Sequence, residues 1–209
     1  MFLEDTTVYG KNEYKCEKEV IVLLFNILGL KDAYTKGHSK RVAVYATILA
    51  KETKEYNQSS LAEFYDSCLL HDIGKMGIPN KILKKPSSLT KEEYNVMRTH
   101  PERGLQVMKL FPFISVDPSI ILSHHEKWDG SGYPNGLKRH EIPLSARIVA
   151  IADAFDAMTS TRVYRTALTP KEAYDQIIKG AGTQFDPELI NIFKQVFTSW
   201  VKIIPMDVK

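Results

Sequence analysis

The 209-residue sequence sets 28 Lys and Arg against 25 Asp and Glu, a formal net charge of +3, with 44% hydrophobic and 25% charged residues. That is the balance of an ordinary globular chain long enough to bury a substantial core; without the concentrated basic stripe of a nucleic-acid binder, neither DNA nor RNA is expected as a partner. Cys16 and Cys68 are too few for a disulfide framework and are expected as buried, reduced thiols. The longest apolar run falls well short of the ~20 residues of a membrane span and the N-terminus has no signal-like pattern, so no membrane partner and a cytoplasmic location are expected.

Residues 1–12 read as a loose leader. Between Glu13 and Leu30 the apolar Val20, Leu23, Leu24, Ile27 and Leu28 keep a helical period behind a charged start, which predicts a bracing helix. Residues 1–30 are therefore set apart from a main domain at 31–209. Lys31 to Gly37 reads as a turn, followed by a long helix from about His38 to Lys54 on which His38, Val42, Tyr45 and Leu49 share a face. Arg41, one turn from His38, is placed to reach the same pocket mouth.

Ser59 or Ser60 is expected to cap a helix carrying Leu61, Phe64, Cys68 and His71 inward, with Gly74 stopping it. Met76 to Ser88, with its prolines and glycine, reads as a surface loop. Thr90 and Glu93 have the form of a capping box, so a helix should start there and break at Pro101. Another covers Glu102 to Leu110, and Asp117-Pro118 opens one that ends in His124 and His125. The glycines at 130, 132 and 136 make the next stretch a loop. Leu144 to Ser160 is helical with Asp153 among apolar residues, and Thr169-Pro170 and Asp186-Pro187 start two more helices. No segment alternates as a strand would, so the fold class is all-α.

His71 and Asp72 close an apolar run, and burying an imidazole and a carboxylate without a partner costs several kcal/mol, roughly. A divalent metal accepts nitrogen from one and oxygen from the other, and a carboxylate can bridge two ions. Of the six histidines, His38, His71, His100, His124 and His125 lie at helix ends or on inward faces, together with Asp72 and Asp153; His140, among charged neighbours, is left to solvent. Five imidazoles and two carboxylates are too many for one closed tetrahedral site and suit two ions about 3.5–4 Å apart with open positions for water. Such a pair supplies a bridging hydroxide and clamps a phosphoryl oxygen, which is chemistry for phosphate-ester hydrolysis. Adjacent helical residues diverge by about 100°, so His124 and His125 can serve one ion only at a helix end.

The motifs His38-Ser-Lys-Arg41, His71-Asp72-Ile-Gly-Lys75, His100-Pro101, His124-His125-Glu126, Asp129-Gly-Ser-Gly-Tyr-Pro134 and Ile151-Ala-Asp153, in that order, resemble the HD-GYP family, a subset of the HD-domain metal-dependent phosphohydrolases. The resemblance implies a compact multi-helix HD-domain bundle with a Gly-Tyr-Pro loop beside the metal site, a catalytic domain at 31–209, and hydrolysis of cyclic di-GMP to linear pGpG, with GMP as a further product in some members. It implies that His38, His71, Asp72 and Asp153 hold one ion, and that Asp72 bridges to a second held by His100, His124 and His125. It further implies that Lys75 faces a phosphate oxygen and steadies the leaving group while Arg162 grips the other phosphate. Tyr34 stands where some members carry a Glu that supports a third metal, so two ions, iron or manganese, are expected, with pGpG as the main product. Tyr133 and Trp128 are candidate stacking surfaces for guanine, although a packed aromatic reads equally well for Trp128. The Gly-Tyr-Pro loop suits substrate contact, docking of a diguanylate cyclase domain, or bracing of the metal helix. Rival readings are an HD-type phosphohydrolase acting on another cyclic dinucleotide or nucleotide, and a module that senses the dinucleotide or docks a cyclase without hydrolysis.

Overall fold

Side-chain caps mark where most of the helices begin. Thr90 and Thr169 close capping boxes with Glu93 and Glu172, and Asp117 and Asp186 each cap a helix whose first residue is proline. The computed structural model describes residues 6–161 and 166–204, with side chains from residue 15 onward. In chain order the α-helices are α1 (Thr6–Lys31), α2 (Ala33–Thr53), α3 (Gln58–Leu69), α4 (Asn80–Leu83), α5 (Lys91–Met97), α6 (His100–Met108), α7 (Pro118–Ser123), α8 (Leu144–Thr159), α9 (Pro170–Lys179) and α10 (Pro187–Val201). Single 3-10 turns occupy Ile73–Gly77 and Arg139–Glu141. Among the described residues there is no strand, only one isolated bridge between Ala181 and Phe185, so the fold is all-α.

Two hydrophobic clusters hold the helices. The larger gathers Tyr45 and Leu49 of α2, Phe64 of α3, Phe155 of α8 and Phe193 and Trp200 of α10. Its rings meet edge-on or tilted, as Tyr45 does with Phe155 at 5.3 Å between centroids, an arrangement aromatic quadrupoles favour. The smaller joins Ile21, Leu24 and Leu28 of α1 to Ile73, Met108 and Ile121. The polar site draws on elements of both: α2 and α8 pack in the larger cluster, α6 and the Ile73 turn in the smaller.

Several boundaries differ from the sequence reading. Helix α1 starts at Thr6, not Glu13, because helical hydrogen bonding propagates outward from a packed segment at little cost. Its buried face is Ile21, Leu24 and Leu28, while Leu23 is 55% exposed. The expected turn at 31–37 is the first turn and a half of α2: Asp32 caps it by accepting from the Tyr34 N–H, so Gly37 is helical. Helix α3 is capped by Asn57, with Ser60 as the reciprocal partner in a capping box, which satisfies two N–H groups where a Ser59 cap would satisfy one. It ends at Leu69, and His71 and Asp72 follow in a turn. The segment read as a plain loop, 76–88, contains the short α4. Cys68 is buried as expected, but Cys16 is exposed on the outer side of α1. No described helix is long and apolar enough to cross a membrane.

Candidate metal centre

Each ligand-type side chain comes from an element end or from a helix face. His38 lies on α2, His71 and Asp72 on the turn after α3, His100 at the start of α6, His124 and His125 just past the end of α7, and Asp153 on α8. The turn bearing Asp72 meets α6 backbone to backbone: a Cβ on Gly74 would fall 1.8 Å from the His100 carbonyl oxygen and 2.4 Å from the Gly104 nitrogen. Only glycine permits this approach, which draws Asp72 up to His100. Because α7 ends at Ser123, His124 and His125 escape the helical divergence, and their rings lie 4.1 Å apart.

The ligand atoms sort into two groups, His38, His71 and Asp153 in one and Asp72, His100, His124 and His125 in the other, each within 4.8 Å of one another. Asp72 joins them. Its Oδ2 is 3.3 Å from His71 Nε2 and 3.9 Å from His38 Nε2, while its Oδ1 is 3.3 Å from His100 Nε2 and 4.0 Å from His124 Nε2. One carboxylate thus presents a different oxygen to each set of imidazoles. Asp153 reaches from His38 Nε2 at 3.0 Å to His125 Nδ1 at 3.9 Å.

The outer nitrogens are fixed. His71, His100 and His124 each aim Nδ1 at a backbone carbonyl, of Cys68, Met97 and Ile120, at 2.8, 2.9 and 2.8 Å. A carbonyl only accepts, so in each ring Nδ1 donates and Nε2 is turned inward, with those of His100 and His124 3.4 Å apart. His38 donates from Nδ1 to Asp156 Oδ2 at 2.7 Å, and Arg41 holds that carboxylate through Nε and Nη2 at 2.6 and 3.0 Å. Such outer partners set ring orientation and basicity in metal sites.

Electrostatics agree with a cation-seeking site. Burial keeps His100, His124 and His125 neutral, lowering their pKa values, that of His100 to about 4. Burial also opposes a proton on His38, but hydrogen bonds to Asp153 and Asp156 outweigh it and raise the pKa to about 9. For Asp72, burial alone favours the neutral acid, yet the neighbouring Lys75 and His71 hold the carboxyl well below the usual range. His71 Nε2 is buried without a hydrogen-bond partner, a state costing about 1–3 kcal/mol in an empty apolar pocket. An inward lone pair with no donor to meet, beside ionised carboxylates, is what a divalent cation satisfies; the residues fit a metal.

The other predicted site residues fall as follows. Lys75 lines the cleft with Nζ 2.5 Å from Asp72 Oδ2. Tyr133 also lines it, but its ring stacks on His125 at 4.8 Å and carries the Arg98 guanidinium at 4.6 Å. Arg41, expected at the pocket mouth, is turned instead onto Asp156 and Ser160, because a buried carboxylate behind His38 demands a cation. Trp128 packs against His140 and Arg147 away from the cleft; His140 is exposed. Arg162 lies outside the described residues. The sequence reading missed three contributors: Asp156, Arg98 and Glu126. Buried Glu126 accepts from the backbone N–H groups of Asn135 and Leu137 at 2.7 and 3.1 Å, pinning the Gly-Tyr-Pro loop to the end of α7. Asp156 was detectable as a second acid one turn past Asp153, on the face that meets His38.

An all-helical frame that brings histidines and aspartates from five segments around one shared carboxylate defines the class of helical, His/Asp metal proteins. Residues 23–189 match the family model described as HD domain, and the chain belongs to that family. A cyclic di-GMP phosphodiesterase of Vibrio cholerae is 37% identical over 214 residues, covering 95% of this chain and 44% of that protein. A cyclic di-GMP phosphodiesterase of Thermotoga maritima is 40% identical over 177 residues, covering 84% of this chain and 48% of that protein. The chain therefore spans about half the length of the curated relatives it matches. Its fold is also that of a cyclic GMP-AMP specific phosphodiesterase of V. cholerae, with TM-score 0.65 and 22% identity, covering 91% of this chain and 51% of the other. The resemblance to the HD-GYP subset holds against these findings.

Proposed function

We propose that the chain is the catalytic unit of a metal-dependent phosphodiesterase that hydrolyses cyclic di-GMP to linear pGpG. The observation carrying this reading is Asp72, whose two oxygens face two separate imidazole sets on the floor of a cleft of about 690 Å³. The names of the relatives supply the substrate class. In this reading His38, His71, Asp72 and Asp153 hold one iron or manganese ion and Asp72, His100, His124 and His125 hold the other. Bound there, the ions supply an activated water and positive charge for the phosphoryl oxygens.

The chain's own side chains do the rest. His71, His100 and His124 turn Nε2 inward because their Nδ1 atoms are tied to backbone carbonyls, and Asp156 holds the His38 ring from behind. Lys75, part-exposed at the cleft beside the shared carboxylate, has N–H donors left for a non-bridging phosphate oxygen and for the leaving oxygen as charge builds. Arg162 grips the second phosphate, and Tyr34, stacked on His38 at 6.0 Å, occupies the position where a Glu would support a third ion, so that hydrolysis ends mainly at pGpG instead of GMP. Asp129, Ser131 and Asn135 on the exposed rim of the Gly-Tyr-Pro loop suit docking of a diguanylate cyclase domain, and a nucleotide messenger of this kind goes with a cytoplasmic location.

Purification without oxygen, followed by elemental analysis and chromatography of products from cyclic di-GMP, 3′3′-cGAMP and cyclic di-AMP, tests this reading. The expected result is two transition ions per chain and pGpG from cyclic di-GMP. A protein that holds its metals yet cleaves none of the three, or prefers another of them, overturns it.

A further inference from the structure

The metal cleft does not end at the ligands. A second cavity of about 470 Å³ lies beside it along α4 and α5, and Leu83, Lys85, Leu89, Tyr94 and Met97 line both spaces. We infer that this cavity takes one nucleobase of a cyclic purine dinucleotide, stacked on Tyr94, while the scissile phosphodiester lies over the metal centre. This rests on the phosphodiesterase reading and names where its substrate goes.

The shape of the ligand requires such a space. A cyclic dinucleotide joins two phosphodiesters and two bases in one ring, so with one phosphodiester on Asp72 and its imidazoles a base must lie well away from the ions. The chemistry of the cavity suits a purine. Leu83, Leu89 and Met97 make an apolar wall, and Lys85 and Lys91 set positive charge at the rim. Lys85 is held in place: its Nζ meets Glu93 Oε2 at 2.5 Å, and the same oxygen accepts the Thr90 N–H at 2.8 Å. An ammonium with one N–H so anchored keeps others for a base acceptor such as a purine O6 or N7. Tyr133, the aromatic that sequence suggested for stacking, is already engaged by His125 and Arg98. Tyr94 is a large ring left 48% exposed at the junction of the two spaces, which is how stacking surfaces for bases present themselves.

The test compares Tyr94→Ala and Tyr94→Phe with the parent chain on cyclic di-GMP and on bis(p-nitrophenyl) phosphate, a diester with no nucleobase. Tyr94→Ala should raise KM for cyclic di-GMP, so that the kcat/KM ratio of the two substrates falls about tenfold to a hundredfold. Tyr94→Phe should keep the ratio within about threefold of the parent. An unchanged ratio in Tyr94→Ala, or an equal fall on both substrates, overturns the inference while leaving the phosphodiesterase reading intact. A parent chain that cleaves bis(p-nitrophenyl) phosphate but no cyclic dinucleotide overturns both.

Discussion

His71, His100 and His124 are oriented by their own backbones, three or four residues upstream, whereas His38 is oriented from another helix, through Asp156 and behind it Arg41. The first three need only a helix end that forms; the fourth needs α2 and α8 docked in register. The two sets should therefore fail differently. Loss of a carbonyl partner is hard to engineer, but Asp156 is a single side chain, and through it one ligand group can be loosened with the other kept.

The largest effect expected is from Asp72→Ala, which removes the one group common to both sets: elemental analysis should find both ions lost and cyclic di-GMP turnover abolished. A chain that keeps one full ion would show that the sets are independent. Lys75→Ala should lower kcat about 100-fold with both ions retained, and loss of metal would place the ammonium among the structural supports of Asp72. Asp156→Asn should weaken one ion by about 10- to 100-fold in a chelator competition and leave the other unchanged; equal weakening of both would erase the contrast drawn between His38 and the carbonyl-tethered rings.

The smallest effect concerns pH and the metal-free protein. His100 titrates near 6.5 when unfolded and near 4 when folded, depressed by burial. Above pH 6.5 neither state carries the proton. As pH falls from 6.5 toward 4 the unfolded chain gains a proton that the folded one refuses, so stability falls by about 1.4 kcal/mol per pH unit for this group. Urea midpoints across that window should decline for the chelated protein, and less steeply for chelated His100→Asn.

Much of this was legible because it is local. Thr90 with Glu93, Thr169 with Glu172, and the Asp-Pro pairs at 117 and 186 announce helix starts through bonds made within three residues. The His and Asp residues announce themselves by chemistry that an apolar interior does not tolerate unpartnered. What escaped is tertiary. Arg41 belongs to Asp156, 115 residues away, and one turn of helix says nothing about which way a guanidinium will swing. Likewise Asn57 outcompeted Ser59 as a cap through a reciprocal bond with Ser60, and Cys16 lies outward because α1 turns Ile21, Leu24 and Leu28 to the body.

The contact at Gly74 has a consequence for tolerance. Where His71 and Asp72 approach α6, peptide meets peptide with no side chain between them, and peptide groups have no rotamers to change. The gap between the Asp72 and His100 segments is gauged by covalent geometry, like a machinist's block, so repacking the apolar residues around it should shift melting temperature well before it shifts the spacing of the ligands.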